Sequence, residues 1–133
     1  MSYRRRQQQR GQETLQAILV VAFMLLPVLF GIVEMGGLIH VWIGQQSAAA
    51  IGARVAGERG EDDALVRTRI NSELLAAGLD PTKVSVRVTP ARASWGQPIT
   101  VQLTSRRRLS IAFLFSRDIT LASTYVGRAE VNH

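Results

Sequence analysis

Glu34 is the only acidic residue in the 27-residue run from Ala17 to Ile43, which holds no Lys or Arg. A carboxylate among apolar side chains has two outlets: it reaches headgroup water, or a proton or a partner's cation neutralises it. On a helix rising ~1.5 Å per residue, Glu34 lies about 25 Å beyond Ala17. That places it near the far interface of a membrane entered at Ala17, and both outlets stay open. As a contact to an Arg of a partner subunit, Glu34 would be an assembly residue.

Little other chemistry is on offer. The two histidines are His40, inside the apolar run, and the terminal His133, and there is no Cys. Disulfides and thiolate metal sites are therefore excluded, and the histidines lack companions at metal-ligand spacing. No G-x-S-x-G, P-loop or G-x-G-x-x-G occurs, and no nucleophile has a neighbouring base. Asp62, Asp63 and Glu73 read as helix-capping and solvated-face carboxylates. The expectation is a protein that is no enzyme and uses no metal or cofactor.

Two C-terminal features carry alternative readings. Arg106, Arg107 and Arg108 are either a solvated hairpin end or a cluster for lipid phosphates, nucleic acid or an acidic partner surface. No aromatic residues interleave with them, so no nucleic-acid partner is expected. Ile111, Phe113, Leu114 and Phe115 form a patch that is either buried against a helix over 62–77 or a docking surface.

The element that positions all of this is the apolar run. Ala17 to Val33 is uncharged, and Ala17 to Ile43 as a helix spans ~40 Å against a hydrocarbon core of ~30 Å. Arg4, Arg5, Arg6 and Arg10 precede it, which holds the N-terminus in the cytoplasm and places residues 45–133 outside. The run exceeds a secretory signal's apolar region of roughly 7–15 residues. Ser47-Ala48-Ala49-Ala50 nevertheless offers an A-x-A-like cleavage site, the basis of a secreted alternative. The net charge is +6, and 15 of the 16 basic residues are Arg, Lys83 being the exception. Four of those arginines belong to the tail, where topology explains them.

Beyond the anchor there is room for one small domain. Gly44 to Gly57 continues helical, with Ile43, Ala50, Ile51 and Val55 as a loose apolar stripe. Its many small residues suit either close packing under its own domain or contact between subunits. Pro27 should kink or loosen the anchor, and Gly31, Gly36 and Gly37 soften it. After Gly60 the spacing of Leu65, Val66, Ile70, Leu74 and Leu75 predicts a helix over 62–77, stopped by Gly78 with Leu79 folding back and then by Asp80-Pro81. Period-two alternation follows at Val84-Val86-Val88, Ile99-Val101-Leu103 and Ile119-Leu121-Ser123-Tyr125. Pro90 to Pro98 is the connection between the first two strands. Leu109 to Phe115 is a fourth short strand or an apolar loop. The fold class is α+β: a tail at 1–16, a membrane helix at 17–43, its extension at 44–59, and a domain at 60–133. In that domain one helix covers a three- to four-stranded antiparallel sheet.

These residues resemble the TadE-like pseudopilin family of the Tad (Flp-type) pilus and secretion apparatus. The resemblance is carried by Arg10-Gly11-Gln12 ahead of the apolar run and by Gly31-Ile32-Val33-Glu34-Met35-Gly36 late in it. Gln46 to Ala56 (QSAAAIGARVA), Asp118 to Ser123 and Arg128-Ala129-Glu130 add to it. It implies a minor pilin-like structural subunit in the cytoplasmic membrane, assembled through its helix into a hetero-oligomer. The implied partners are membrane lipid, other pilin-like subunits, Tad assembly-platform proteins and prepilin peptidase. It also implies peptidase cleavage between Gly11 and Gln12, and assembly roles for Gln16, Glu34, Gly31, Gly36 and Gly37. The chain departs from the family pattern at the fifth residue after the cut, where Gln16 replaces a glutamate, and at Ala17, which replaces an aromatic. A membrane-anchored binding module with no filament role and a secreted soluble protein remain the competing readings.

Overall fold

The structure is a computed structural model; it describes residues 2–132, with side chains from Gln9 onward. Met1 and His133 lie outside the described residues.

One helix dominates. α1 runs from Ser2 to Arg59, 58 residues, and continues through Pro27 without interruption. At ~1.5 Å per residue it is about 87 Å long. It ends at Gly60, whose φ of +70° favours glycine, and whose amide donates to Ala56 O at 2.7 Å. Residues 9–26 are exposed on every face, whereas the face bearing Val41, Gln45, Ala48, Ala49, Ala53 and Ala56 is buried. The exposed apolar helix and the central beam of the domain are thus one element.

α2 spans Ala64–Ala76, inside the expected 62–77. Asp63 caps it by accepting from the Val66 amide at 2.9 Å, satisfying one of the donors that a helix start leaves orphaned. Its end has the form read from the sequence: Gly78 at φ +75°, with Leu79 N–H bonded back to Leu74 O at 2.8 Å. Only three of its five expected apolar contacts are buried, Val66, Ile70 and Leu74; Leu65 and Leu75 are exposed. An apolar arc that wide exceeds the narrow strip α2 presents to its neighbours.

The sheet is an antiparallel meander in the order β1-β2-β3: β1 Val84–Thr89, β2 Pro98–Ile111, β3 Phe115–Arg128. There is no fourth strand among the described residues. Leu109 to Ile111 end β2, Phe115 begins β3, and a tight turn between them closes a hairpin in which Ile111 faces Phe115. The Arg106-Arg107-Arg108 run is therefore not the end of the hairpin; it lies within β2, opposite Thr120, Ile119 and Asp118. Register and alternation put Ile99, Val101, Leu103 and Ser105 on the buried face. In β3 the alternation holds at Ile119, Leu121 and Ser123 and fades at Tyr125, which is exposed.

The cover of the sheet differs from expectation. The second half of α1, not α2, lies across β2 and β3, while α2 packs on the flank of α1 and reaches β1. Small residues permit this. A Cβ at Gly52 would stand 2.6 Å from Ile70, and one at Gly127 would stand 2.5 Å from the Ala53 carbonyl oxygen. The apolar stripe at Ile43, Ala50, Ile51 and Val55 is accordingly not the buried one; Ile43 is exposed and the other three are half-buried. Backbones that approach this closely need Ala and Gly, so the small-residue face won the core.

Candidate membrane and assembly interface

α1 is one helix long and apolar enough to span a membrane. Gly11, Gln12 and Gln16 sit on its exposed N-terminal part, with nothing near the position a Gly11 Cβ would take. Gly36 and Gly37 are likewise exposed and open. A Cβ at either would meet nothing within 4 Å, although Gly36 lines the groove that α1 forms with Leu109 and Ile111. Gly31 is different: a Cβ there would lie 3.8 Å from the Ile111 side chain. The structure thus separates three glycines that the sequence grouped together.

Glu34 is half-buried, on the face that also carries Gly31, Leu38 and Val41. Among the described residues it makes no hydrogen bond or ion pair. His40, by contrast, has a structural partner: its Nε2 lies 3.1 Å from Ala77 O, tying α1 to the end of α2.

The β2–β3 hairpin runs down beside α1 toward the N-terminus. The Ser105 hydroxyl donates to Gln45 Oε1 at 3.1 Å. Arg106, Arg107 and Arg108 stand around Val41. Leu109 and Ile111 form an apolar groove with Val28, Ile32, Met35 and Ile39. The Phe113 ring ends the series 6.5 Å from Phe23. Two length scales agree: Gln45 to Gly31 is about 21 Å of helix, and Ser105 to Ile111 is about 20 Å of strand. The strand therefore lies nearly along the helix axis.

The patch at Phe113, Leu114 and Phe115 does not lie against α2. These residues are 91%, 63% and 51% exposed, and Ile111 turns to α1 instead. Phe113 also holds a φ of +67°, the left-handed region that bulky residues avoid. Arg108 Nε donates to Ser116 Oγ at 2.8 Å just above this tip.

Electrostatics elsewhere serve the fold. Asp63 is held below the usual carboxylate range by the Val66 amide and then by Arg59, whose Nε lies 2.8 Å away. Asp80 is lowered by the hydroxyl and amide of Thr82. Arg67 grips Asp62 with two nitrogens, at 2.8 and 2.6 Å, and donates to Val86 O at 2.8 Å, linking α2 to β1. The Asp62 bond raises the Arg67 pKa. Asp62 thus anchors a strand, a role the sequence reading had not given it.

Sequence reasoning also missed Gln45. It is fully buried, and its Nε2, like Ser123 Oγ, has no partner among the described residues. The available signal was a long polar side chain on the small-residue face of α1, with Ser105 and Ser123 at inward strand positions. Among the described residues no three His, Asp or Glu side chains gather as a metal site.

No family model, no curated protein and no solved structure matches the chain.

Proposed function

We propose that this protein is a pilin-like structural subunit, a TadE-like minor component of a Tad or type IV-like pilus or secretion apparatus. It is anchored in the cytoplasmic membrane with its N-terminus inside and its domain outside. It works by assembly rather than catalysis, its bare helix meeting other pilin-like subunits and platform proteins.

The observation that carries this reading is the division of α1. Its first part shows apolar side chains on every face, and its second part is the beam on which the sheet and α2 are built. Such a helix transmits any contact made in the membrane directly to the exported domain. Gly36 and Gly37, where an added Cβ would meet nothing, suit close helix approach.

Retention of the anchor is favoured by the same geometry. Cleavage after Ala50 would strip Gln45, Ala48 and Ala49, all fully buried, from the core. Mass spectrometry of the native N-terminus tests the reading. A start at Gln12 supports pilin-type processing, Met1 supports a plain anchor, and Ile51 refutes both. Glu34→Gln tests assembly: loss of co-purifying membrane partners with an unchanged fold is expected. The second reading, a membrane-anchored binding module, is favoured by Gln16, which carries no charge to attract a neighbour's N-terminal amine.

A further inference from the structure

We propose that the tip of the β2–β3 hairpin is a second membrane element: Phe113, Leu114 and Phe115 enter the hydrocarbon layer beside α1, while Arg106, Arg107, Arg108 and Arg117 meet lipid phosphates. The inference rests on the reading of α1 as a membrane span.

Depth follows from register. With the inner edge of the hydrocarbon at Ala17, ~30 Å of helix ends near Gly37. Ala17 begins the apolar run, so any other placement moves the outer edge further toward Ile43. Ile111 lies beside Gly31, about 9 Å beneath the shallowest edge, and the Phe113 ring approaches Phe23, whose own level is about 21 Å beneath that edge and past the midplane at ~15 Å. The hairpin tip is at membrane height because α1 is.

Charge marks the same boundary independently. Leu109, which pairs with Arg117, shares its groove with Met35 and Ile39, at the level where the hydrocarbon ends. Arg106, Arg107 and Arg108 stand around Val41, about 6 Å further out. Arg107 and Arg117 sit at odd positions on the helix side of the hairpin, and Arg106 and Arg108 on the other side, so four cations stand around it near phosphate height against one acid, Asp118, which pairs opposite Arg108. Below that level the residues are apolar but for Ser110 and Ser116, and the Ser116 hydroxyl is bonded to Arg108.

The tip's conformation has no other account within the chain. Phe113 combines a left-handed backbone with 91% exposure, and its only ring contact among the described residues is Phe23. Three paired positions, from Leu109–Arg117 to Ile111–Phe115, lie at or below the edge; pairing satisfies the backbone groups between the two strands, while the outward-facing groups of this two-stranded tip stay open and are the cost of its insertion. Lipid suits this surface because an exposed apolar tip ends directly below a band of arginines, the order of an apolar core and its phosphate layer.

The absence of cysteine allows single-site spin labelling of the full chain in phosphatidylethanolamine–phosphatidylglycerol vesicles. Labels go on Phe113→Cys and Leu114→Cys, with Ile32→Cys reporting the span and Ser72→Cys the aqueous domain. The expected result is that positions 113 and 114 match position 32: open to oxygen, with loss of access to a water-soluble nickel chelate. Water-like access at 113 and 114 with a lipid-like label at 32 overturns the inference and leaves the anchor standing. Shielding from both reagents at 113 and 114 overturns it in favour of a protein contact. A water-exposed label at position 32 removes the anchor and the inference together.

Discussion

The aromatic ring of Phe113 lies 6.5 Å from that of Phe23, although 90 residues separate them in the chain. One belongs to the tip of the β2–β3 hairpin, the other to the middle of the apolar run. Their proximity joins the domain to the apolar run well before the point where the domain would be expected to begin. Because Phe113 is otherwise exposed, Phe113→Asp is expected to leave the fold intact, with a change in unfolding free energy of about 0.5 kcal/mol or less. Far-UV circular dichroism and thermal unfolding check this. The same variant should lose the lipid contact of the tip.

The glycines divide into two experimental classes. Gly127→Ala drives a methyl into the Ala53 carbonyl oxygen, 2.5 Å away, and should destabilise the domain by about 1–3 kcal/mol. Gly36→Ala and Gly37→Ala meet nothing and should leave stability unchanged or slightly raised. Chemical denaturation of the three variants separates the classes, and crosslinking then asks whether the second class weakens subunit contacts.

Gln45 and Ser105 join helix to sheet inside the core. Gln45→Ala removes the acceptor for the Ser105 hydroxyl and opens space beneath β2, at an expected cost of about 2 kcal/mol. Gln45→Met, which keeps the volume and removes the orphaned Nε2, should cost less than the alanine variant. Denaturant midpoints of the pair test that order.

Acid should loosen α2 first. Asp63 and Asp80 both have carboxyl groups lowered in the folded state, so the stability they contribute is present in full above the usual carboxylate value of about 4. It is lost as pH falls through the lower folded values. The thermal midpoint should therefore drop as pH falls below about 4, and Asp63→Asn, which still caps but does not titrate there, should flatten part of the slope. Circular dichroism melts across that range supply the measurement.

Local signals carried much of the architecture. The α2 stop at Gly78 and Leu79 was legible because a left-handed glycine followed by an apolar residue is a short-range device. The Ile99, Val101 and Leu103 face was legible because strand alternation encodes burial directly. The run from Ala17 needed only its length and lack of charge. For these elements, neighbouring residues hold the information.

Other features depended on how elements meet. Leu65 and Leu75 have the same chemistry as Leu74, yet only Leu74 points at the narrow strip that α1 presents. The choice of Ala48, Ala53 and Ala56 over Ile43 and Val55 as the inner face of α1 followed from close backbone approach, which no hydrophobicity pattern reports. Arg107 breaks the inward alternation of β2 and reads as solvated from sequence; its position around Val41 emerges only when the strand is laid along the helix.

The sequence by itself determined an apolar helix at the start, a capped second helix, and three alternating strands, because each is specified by periodicity and termination over a few turns or strand residues. Only the tertiary structure decided that the apolar helix α1 is also the core beam, and that the hairpin descends beside it to Phe23. Those relations rest on long-range packing between α1 and the sheet, where side-chain volume and strand register, rather than local propensity, select the partner.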